Sequence, residues 1–302
     1  MCVAAAKYFK GTGWILAKNR DQDYVSTVSF VDKPAPIVGE ILTLYDHDTK
    51  YQEGMNYAGM AIITTSLVPI ILEETDEEDG KLIKRALGTR TPEEAAKLFI
   101  KAKMPGFIFI CTPEKLILIE AAKKNQGKGD YDHTVRVVPK TETVVRTNHG
   151  IDLPWGGFQK GISKNQDAWR ESSEKRMKYA ERAIAKAKDA QGMIDALASK
   201  MDDDLQMNLF RVESKPRQMR TIFQWAFVPK ESEVLIRPIQ TKIKHLSVTH
   251  DKIHLRMLDN ESVKKVYDGR IRHFTKIEVK DDGKSLKTVQ TEGRLRFKEF
   301  IF

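Results

Sequence analysis

The chain has 302 residues, 41% hydrophobic and 31% charged, enough to bury the core of one large domain or of one domain with an appendage. Lys and Arg outnumber Asp and Glu by 51 to 42, a formal net charge of +9. The excess is spread along the chain with no recognition motif beside it, which argues for solvated surface and against a dedicated nucleic-acid site. The longest apolar run, Met60 to Leu72, holds two Thr, a Ser and a Pro and is too short for a membrane span.

The chain opens Met1-Cys2. Aminopeptidases remove Met before small side chains, so Cys2 can become the true N-terminus, carrying a thiol and a free α-amine on one residue. The amine, with an ordinary pKa of about 7.7–8.0, is then a base for the thiol. Lys7, Lys10 and Gly11 interrupt the first apolar stretch, so no secretory leader is expected ahead of that step. The second cysteine, Cys111, lies in the run Gly106-Phe-Ile-Phe-Ile-Cys111 and reads as a buried strand thiol. Two cysteines with no disulfide pattern fit a reducing, cytoplasmic compartment.

Cys2 to Phe9 reads as a strand, Gly11-Thr-Gly13 as a turn and Trp14 to Asn19 as a returning strand. Such a hairpin sets the end of its second strand beside the start of its first, so Arg20 and Asp23 are expected to flank Cys2. Arg20 would favour the thiolate, and Asp23 would accept hydrogen bonds from the terminal amine. Val25 to Val31 reads as a third strand broken by Pro34-Ala-Pro36, and Ile37 to Tyr45 as a fourth. His47, in Asp46-His-Asp48, is expected in an exposed turn rather than at a metal. The acidic run Glu73 to Gly80 reads as a solvated loop without calcium-loop spacing.

Thr91-Pro-Glu-Glu94 predicts a capped helix start, with Ala95, Leu98, Phe99 and Ala102 on its buried face. Phe107 to Cys111 and Leu116 to Ala121 read as buried strands. A strand then closes at Val144-Val-Arg-Thr-Asn148-His149, with Trp155-Gly-Gly-Phe158 on the same rim. Ser173 to Met201 predicts one long helix, bent at Gly192, that turns Arg176 inward. Arg220 to Val228 and Glu233 to Arg237 predict a hairpin completing a second sheet. Thr241 to Phe302 alternates apolar and basic residues and reads as a β-rich extension with turns at Asp268-Gly269 and Asp282-Gly283. Its four histidines, His245, His250, His254 and His273, lack the carboxylate or Cys pattern of a metal site.

Several short motifs resemble one family in order: Met1-Cys2, a hairpin, Arg20-x-x-Asp23, Gly54-Met-Asn-Tyr-Ala-Gly59, Val145-Arg-Thr-Asn-His149 and Ser172-Ser-Glu-Lys-Arg176. From residue 1 to about residue 240 the chain resembles the N-terminal-nucleophile hydrolases of the choloylglycine hydrolase and penicillin acyltransferase type. The Asn19-Arg-Asp21 triplet is also similar to Ntn-like proteins named after an Asn-Arg-Asp-Glu motif, with Gln22 where Glu would stand. The resemblance implies an αββα sandwich over residues 1–240; beyond it, residues 241–302 read as a β-rich extension that packs on the core, oligomerises or binds a partner. It implies a nucleophile at Cys2, with Arg20, Asp23, Asn148 and Arg176 as its catalytic company. Asn148 would donate to the substrate carbonyl or its oxyanion, and Arg176 would meet Asp23 or the substrate.

On the substrate side the resemblance points to Asn56, Thr65, Ser66 and His149. The family's second oxyanion Asn is absent here, with Thr65 or Ser66 in its place. His149 is expected to be structural or to line the pocket, since in such a site the amine is the base. The implied reaction is cleavage or transfer of a linear, non-peptide amide through an acyl-enzyme on Cys2. It calls for no cofactor or metal and takes a small amide or acyl substrate; homo-oligomerisation stays open. The alternatives are a non-catalytic binding or structural protein on the same scaffold, and a short-peptide hydrolase. A glutamine amidotransferase also begins Met-Cys, but Val3 stands where Gly usually follows, and its glutamine-binding motifs are not evident.

Overall fold

A computed structural model describes residues 2–23, 26–67, 75–124, 129–204, 206–211, 219–239, 241–247, 253–260, 263, 267, 275–279 and 286–290. Its strands are β1 Val3–Phe9, β2 Gly13–Gln22, β3 Thr27–Ala35, β4 Gly39–Asp46, β5 Gln52–Asn56, β6 Ala61–Thr65, β7 Gly106–Cys111, β8 Leu116–Lys123, β9 Tyr131–Val137, β10 Val144–Arg146, β11 Arg220–Val228, β12 Glu233–Pro238, β13 Lys242–Ser247, β14 His254–Met257, β15 Thr275–Val279 and β16 Leu286–Gln290. The helices are α1 Thr75–Leu87, α2 Pro92–Ala102, α3 Lys164–Ala185 and α4 Ala190–Leu197.

Two sheets carry the fold. One has six strands in the order β10-β1-β2-β11-β12-β14, the other eight in the order β13-β3-β4-β5-β6-β7-β8-β9. Alternation along β1 shows why they stack. Ala4 and Ala6 join Trp14, Leu16, Leu44, Ile63 and Phe109 in a core between the sheets. Val3 and Ala5 point the other way, onto Ala180 and Ile184 of α3 and Ile194 and Leu197 of α4. The eight-stranded sheet buries Ile62, Ile108 and Ile119 on its outer face against Ile83 and Leu87 of α1 and Phe99 of α2. The layers run helix, sheet, sheet, helix: an αββα sandwich. Strands covered on both faces read as continuous apolar runs, as β7 and β8 do. Among the described residues, no helix is long and apolar enough to cross a membrane.

The α2 start is as the sequence predicts: Thr91 caps it and Glu94 closes the capping box. Four expectations need correction. The acidic run is in part a helix, because Thr75 to Gly80 forms the first turns of α1, where carboxylates meet the positive end of the helix dipole. Gly80 fits there because a Cβ would stand 2.6 Å from the Lys50 carbonyl. The helix expected from Ser173 to Met201 is two, α3 and α4, since Asp189 caps a new start by accepting from Gly192 N at 2.7 Å. β3 runs through Pro34, which lies past the last pair with β13, at Val31, where a missing donor is tolerated. The β11–β12 hairpin extends the sheet of β1 and β2 rather than the opposite one.

The segment after residue 240 enters both sheets. β13 pairs parallel to β3, and β14 pairs parallel to β12. β15 and β16 form a separate antiparallel hairpin; Asp282-Gly283 between them and Asp268-Gly269 lie outside the described residues. Of the four C-terminal histidines, only the His254 side chain is described, exposed on β14.

Candidate active site

Strand register brings the N-terminus to its neighbours. Val3 pairs with Asn19 and Ala4 with Arg146, so one step back Cys2 lies between Arg20 on β2 and Asn148 beyond β10. Cys2 is half-buried, and its main-chain nitrogen donates to Asn148 Oδ1 at 3.0 Å. By alternation the Cys2 side chain shares the face of Ala4 and Ala6, between the sheets.

Asn148 is fixed from several sides. Its Oδ1 also accepts from Arg176 Nη2 at 3.4 Å, and its Nδ2 donates to the Ser66 carbonyl at 3.0 Å. Donors on one side and a carbonyl on the other set the amide's orientation. The Asn148 N–H donates to Ser173 Oγ at 2.9 Å and its carbonyl accepts from Phe158 N at 3.0 Å. Gly157, at φ +67°, lies so close to that carbonyl that a Cβ would collide with it, and Gly157 N reaches Leu67 O at 2.7 Å. The Trp155-Gly-Gly-Phe158 segment is therefore part of the rim.

Below Cys2, on the helix side of the sheet, sits a buried carboxylate that the motif reading passed over. Asp21 is 0% exposed. Its Oδ2 takes Arg176 Nη1 at 3.2 Å and lies 3.9 Å from Arg211 Nε, while Thr221 Oγ1 donates to its Oδ1 at 2.8 Å. A register shift between Thr221 and Phe223, opposite Asp21 and Arg20, marks a bulge that re-aims side chains beside the site. Burial lowers the Arg176 pKa, opposed by the charges of Asp21 and Cys2. Burial and the neighbouring Arg176 lower that of Arg211 to about 9, opposed by Asp21 and Cys2. At about 9, Arg211 is still a cation at neutral pH.

On the opposite face, between the sheets, Arg20 pairs with Asp46 at 2.6 Å and Lys18 with Glu53 at 2.5 Å. Both cations lie over the Tyr51 ring, at 4.9 and 5.3 Å. Burial alone would lower the Arg20 pKa, but the charges of Asp46, Cys2 and Glu53 outweigh it and hold it above the ordinary value. Three guanidiniums, Arg20, Arg176 and Arg211, thus interact electrostatically with Cys2.

The remaining candidates fall in different places. Asp23 is exposed at a bend, with its carbonyl 3.4 Å from Arg220 Nη2; the carboxylate set beneath Cys2 is Asp21 instead. Thr65 is buried and donates its hydroxyl proton to Thr147 O at 2.8 Å, which occupies the group expected to face an oxyanion. Ser66 is exposed and meets Asn148 through its main-chain carbonyl. Asn56 lies at the other end of the sandwich, in the turn whose Gly59 neighbours Pro113 and Pro229. It spends its amide on Leu87 O and Met60 N, both at 2.8 Å, a structural role rather than a substrate contact. His149 turns toward α3, its Nδ1 2.8 Å from Ser173 Oγ and 3.1 Å from Thr147 Oγ1. Burial and Arg170 lower its pKa to about 4, so it is neutral at neutral pH.

Sequence reasoning missed Asp21 and Arg211. For Asp21 a signal existed: in a strand, residues 19 and 21 share a face, and Asn19 spends its amide on Leu197 O and Leu209 O, both at 2.8 Å, on the helix side. For Arg211 there is none, because no motif surrounds it. Cys111 is fully buried, and burial pushes its thiol far up. No group of three or more His, Cys, Asp or Glu that could hold a metal occurs among the described residues.

No family model matches the chain, and no curated protein does. Among solved structures, the chain is similar to the C2A mutant of conjugated bile acid hydrolase from Clostridium perfringens, at 12% identity and a TM-score of 0.43, over 83% of this chain and 100% of that one. It is similar also to penicillin V acylase from Agrobacterium tumefaciens, at 12% identity and a TM-score of 0.41, over 78% of this chain and 86% of that one.

Proposed function

We propose that this protein is a cysteine amidase or acyltransferase of the N-terminal-nucleophile kind, acting on a linear, non-peptide amide after loss of Met1. The observation that carries the reading is the 3.0 Å contact from the Cys2 nitrogen to Asn148 Oδ1, an oxygen that Arg176 also approaches. With Met1 removed, that nitrogen is an α-amine anchored through one N–H, on the same residue as the thiol. It takes the thiol proton as sulfur attacks the carbonyl carbon. The second Nδ2 hydrogen of Asn148 is the side-chain donor best placed for the resulting oxyanion, since Thr65 is committed elsewhere.

The carbon–nitrogen bond then breaks, the α-amine hands its proton to the leaving nitrogen, and the acyl group stays on Cys2 as a thioester. Water or an acceptor amine attacks the thioester. The α-amine takes the attacker's proton and returns it to the departing sulfur, restoring the starting state. Asp21, between Arg176 and Arg211, holds the cationic floor in place and takes the Arg176 contact first given to Asp23, while the amine is anchored by Asn148. Arg20, tied to Asp46, supplies positive field from the other face. A free, reactive thiol suits a reducing compartment, so the cytoplasm is the proposed location.

The test is kinetic. Cys2→Ala abolishes turnover of a panel of activated linear amides, while Cys111→Ala leaves it near wild type. Asn148→Ala lowers kcat by about 10²–10³, the usual cost of one oxyanion donor. Turnover that survives in Cys2→Ala overturns the assignment.

A further inference from the structure

We propose that the site at Cys2 accepts an acyl group ending in a carboxylate, and that the buried guanidinium of Arg146 binds it. This inference rests on the amidase reading for what the site holds, but its own evidence is separate. Arg146 is one of five buried arginines among the described residues, with Arg20, Arg176, Arg211 and Arg237. The other four each have a carboxylate within 4.0 Å: Asp46, Asp21, again Asp21, and Asp195. Arg146, 8% exposed, has none among the described residues. Its contacts are Nη1 to the Val145 carbonyl at 2.8 Å and a stacking position 5.4 Å over the Phe107 ring. Its Nε has no partner.

The charges of Glu120, Asp152 and Glu142 act on Arg146 without contact, against the opposing charge of Arg136. Both Glu120 oxygens accept main-chain N–H groups of Ile151, Asp152 and Leu153, at 2.7, 2.9 and 3.0 Å. Glu142 is held in a two-point pair with Arg136, and Asp152 accepts from Thr134 at 3.3 Å. A buried guanidinium with no carboxylate in contact is costly, and natural proteins seldom keep one without a ligand or partner. Guanidinium donors in a fixed fork match a carboxylate in two-point geometry.

Position decides which part of the substrate carries the carboxylate. Arg146 pairs with Ala4, and its side chain lies between the sheets over Phe107, on the face the Cys2 side chain shares by alternation. It stands one two-residue step, roughly 7 Å, deeper into the sandwich than Asn148. A group bound there remains with the acyl-enzyme while the leaving amine departs toward solvent. The substrate class is therefore the half-amide of a short dicarboxylic acid.

The test compares glutaramate with its methyl ester, binding to full-length Cys2→Ala protein by calorimetry, with and without Arg146→Met. Glutaramate should bind at least tenfold more tightly than the ester, and Arg146→Met should erase that preference while leaving ester binding unchanged. Equal binding of the two probes, no binding of either, or a preference that survives Arg146→Met overturns the proposal. If Arg146→Met does not fold, Arg146→Lys carries the test: it should keep a reduced preference for glutaramate, and an undiminished one overturns the fork geometry. Binding in the Cys2→Ala background needs no turnover. Cleavage of neutral amides by the wild type with no carboxylate preference sinks this proposal alone, whereas an Arg146-dependent preference without any cleavage sinks the amidase reading alone.

Discussion

The two faces of the six-stranded sheet treat charge differently where β2 passes Cys2. Toward the other sheet, Lys18 and Arg20 each have a carboxylate of their own, Glu53 and Asp46. Toward the helices, Asp21 serves two guanidiniums, Arg176 and Arg211. Where β2 passes Cys2, one face gives each cation its own carboxylate; on the other, two guanidiniums share Asp21. Both faces direct positive field at Cys2, through Arg20 on the first and through Arg176 and Arg211 on the second. Which face a residue serves follows from its parity on the strand.

The sharpest way to break this contrast is Asp21→Asn. Removing the shared carboxylate takes from Arg176 and Arg211 the buried charge they share, and breaking a buried pair in this way costs about 3–5 kcal/mol. Urea unfolding at neutral pH should show that loss together with reduced turnover. A variant as stable as the wild type would mean that Asp21 does not anchor the cationic floor.

His149 gives a smaller, pH-dependent effect. Its pKa lies at about 4 in the folded protein against 6.5 ordinarily, so between those values the unfolded chain binds more protons. The stability tied to neutral His149 is fully present above about pH 6.5 and is lost as pH falls through about 4. The loss is on the order of 2–3 kcal/mol across that window. Urea melts along the pH series should show a shallower acid decline in His149→Gln than in wild type. Parallel declines would place the acid sensitivity elsewhere.

The smallest effect belongs to Asp23. Exposed at its bend, it should tolerate Asp23→Asn with no measurable change in Tm or in turnover. A large drop in turnover would return the amine-binding role to Asp23.

Much of this architecture was legible in the sequence. The apolar runs of β7 and β8, the hairpin turn at Gly11-Thr-Gly13 and the Thr91 capping box are local signals, and each marked its element. Cys2, Asn148 and Arg176 do converge, because hairpin register and the inward stripe of α3 fix their positions. What failed depended on tertiary context. The choice between Asp21 and Asp23 turned on where β2 bends, and the Thr65 hydroxyl was claimed by a carbonyl 82 residues away. The break between α3 and α4 had a local cue in Asp189, outweighed in the reading by an apolar stripe that continues across it. Arg211 and the unpaired state of Arg146 are visible only once burial and partners are known.

The central claim, that Cys2 becomes an N-terminal nucleophile, is tested most directly by intact-mass analysis before and after a slow-leaving activated amide. The purified protein should lack the mass of Met1 and then gain one acyl group, mapped to Cys2 and absent in Cys2→Ala. A protein that keeps Met1, or a processed and folded one that acquires no acyl group at Cys2, would contradict the account.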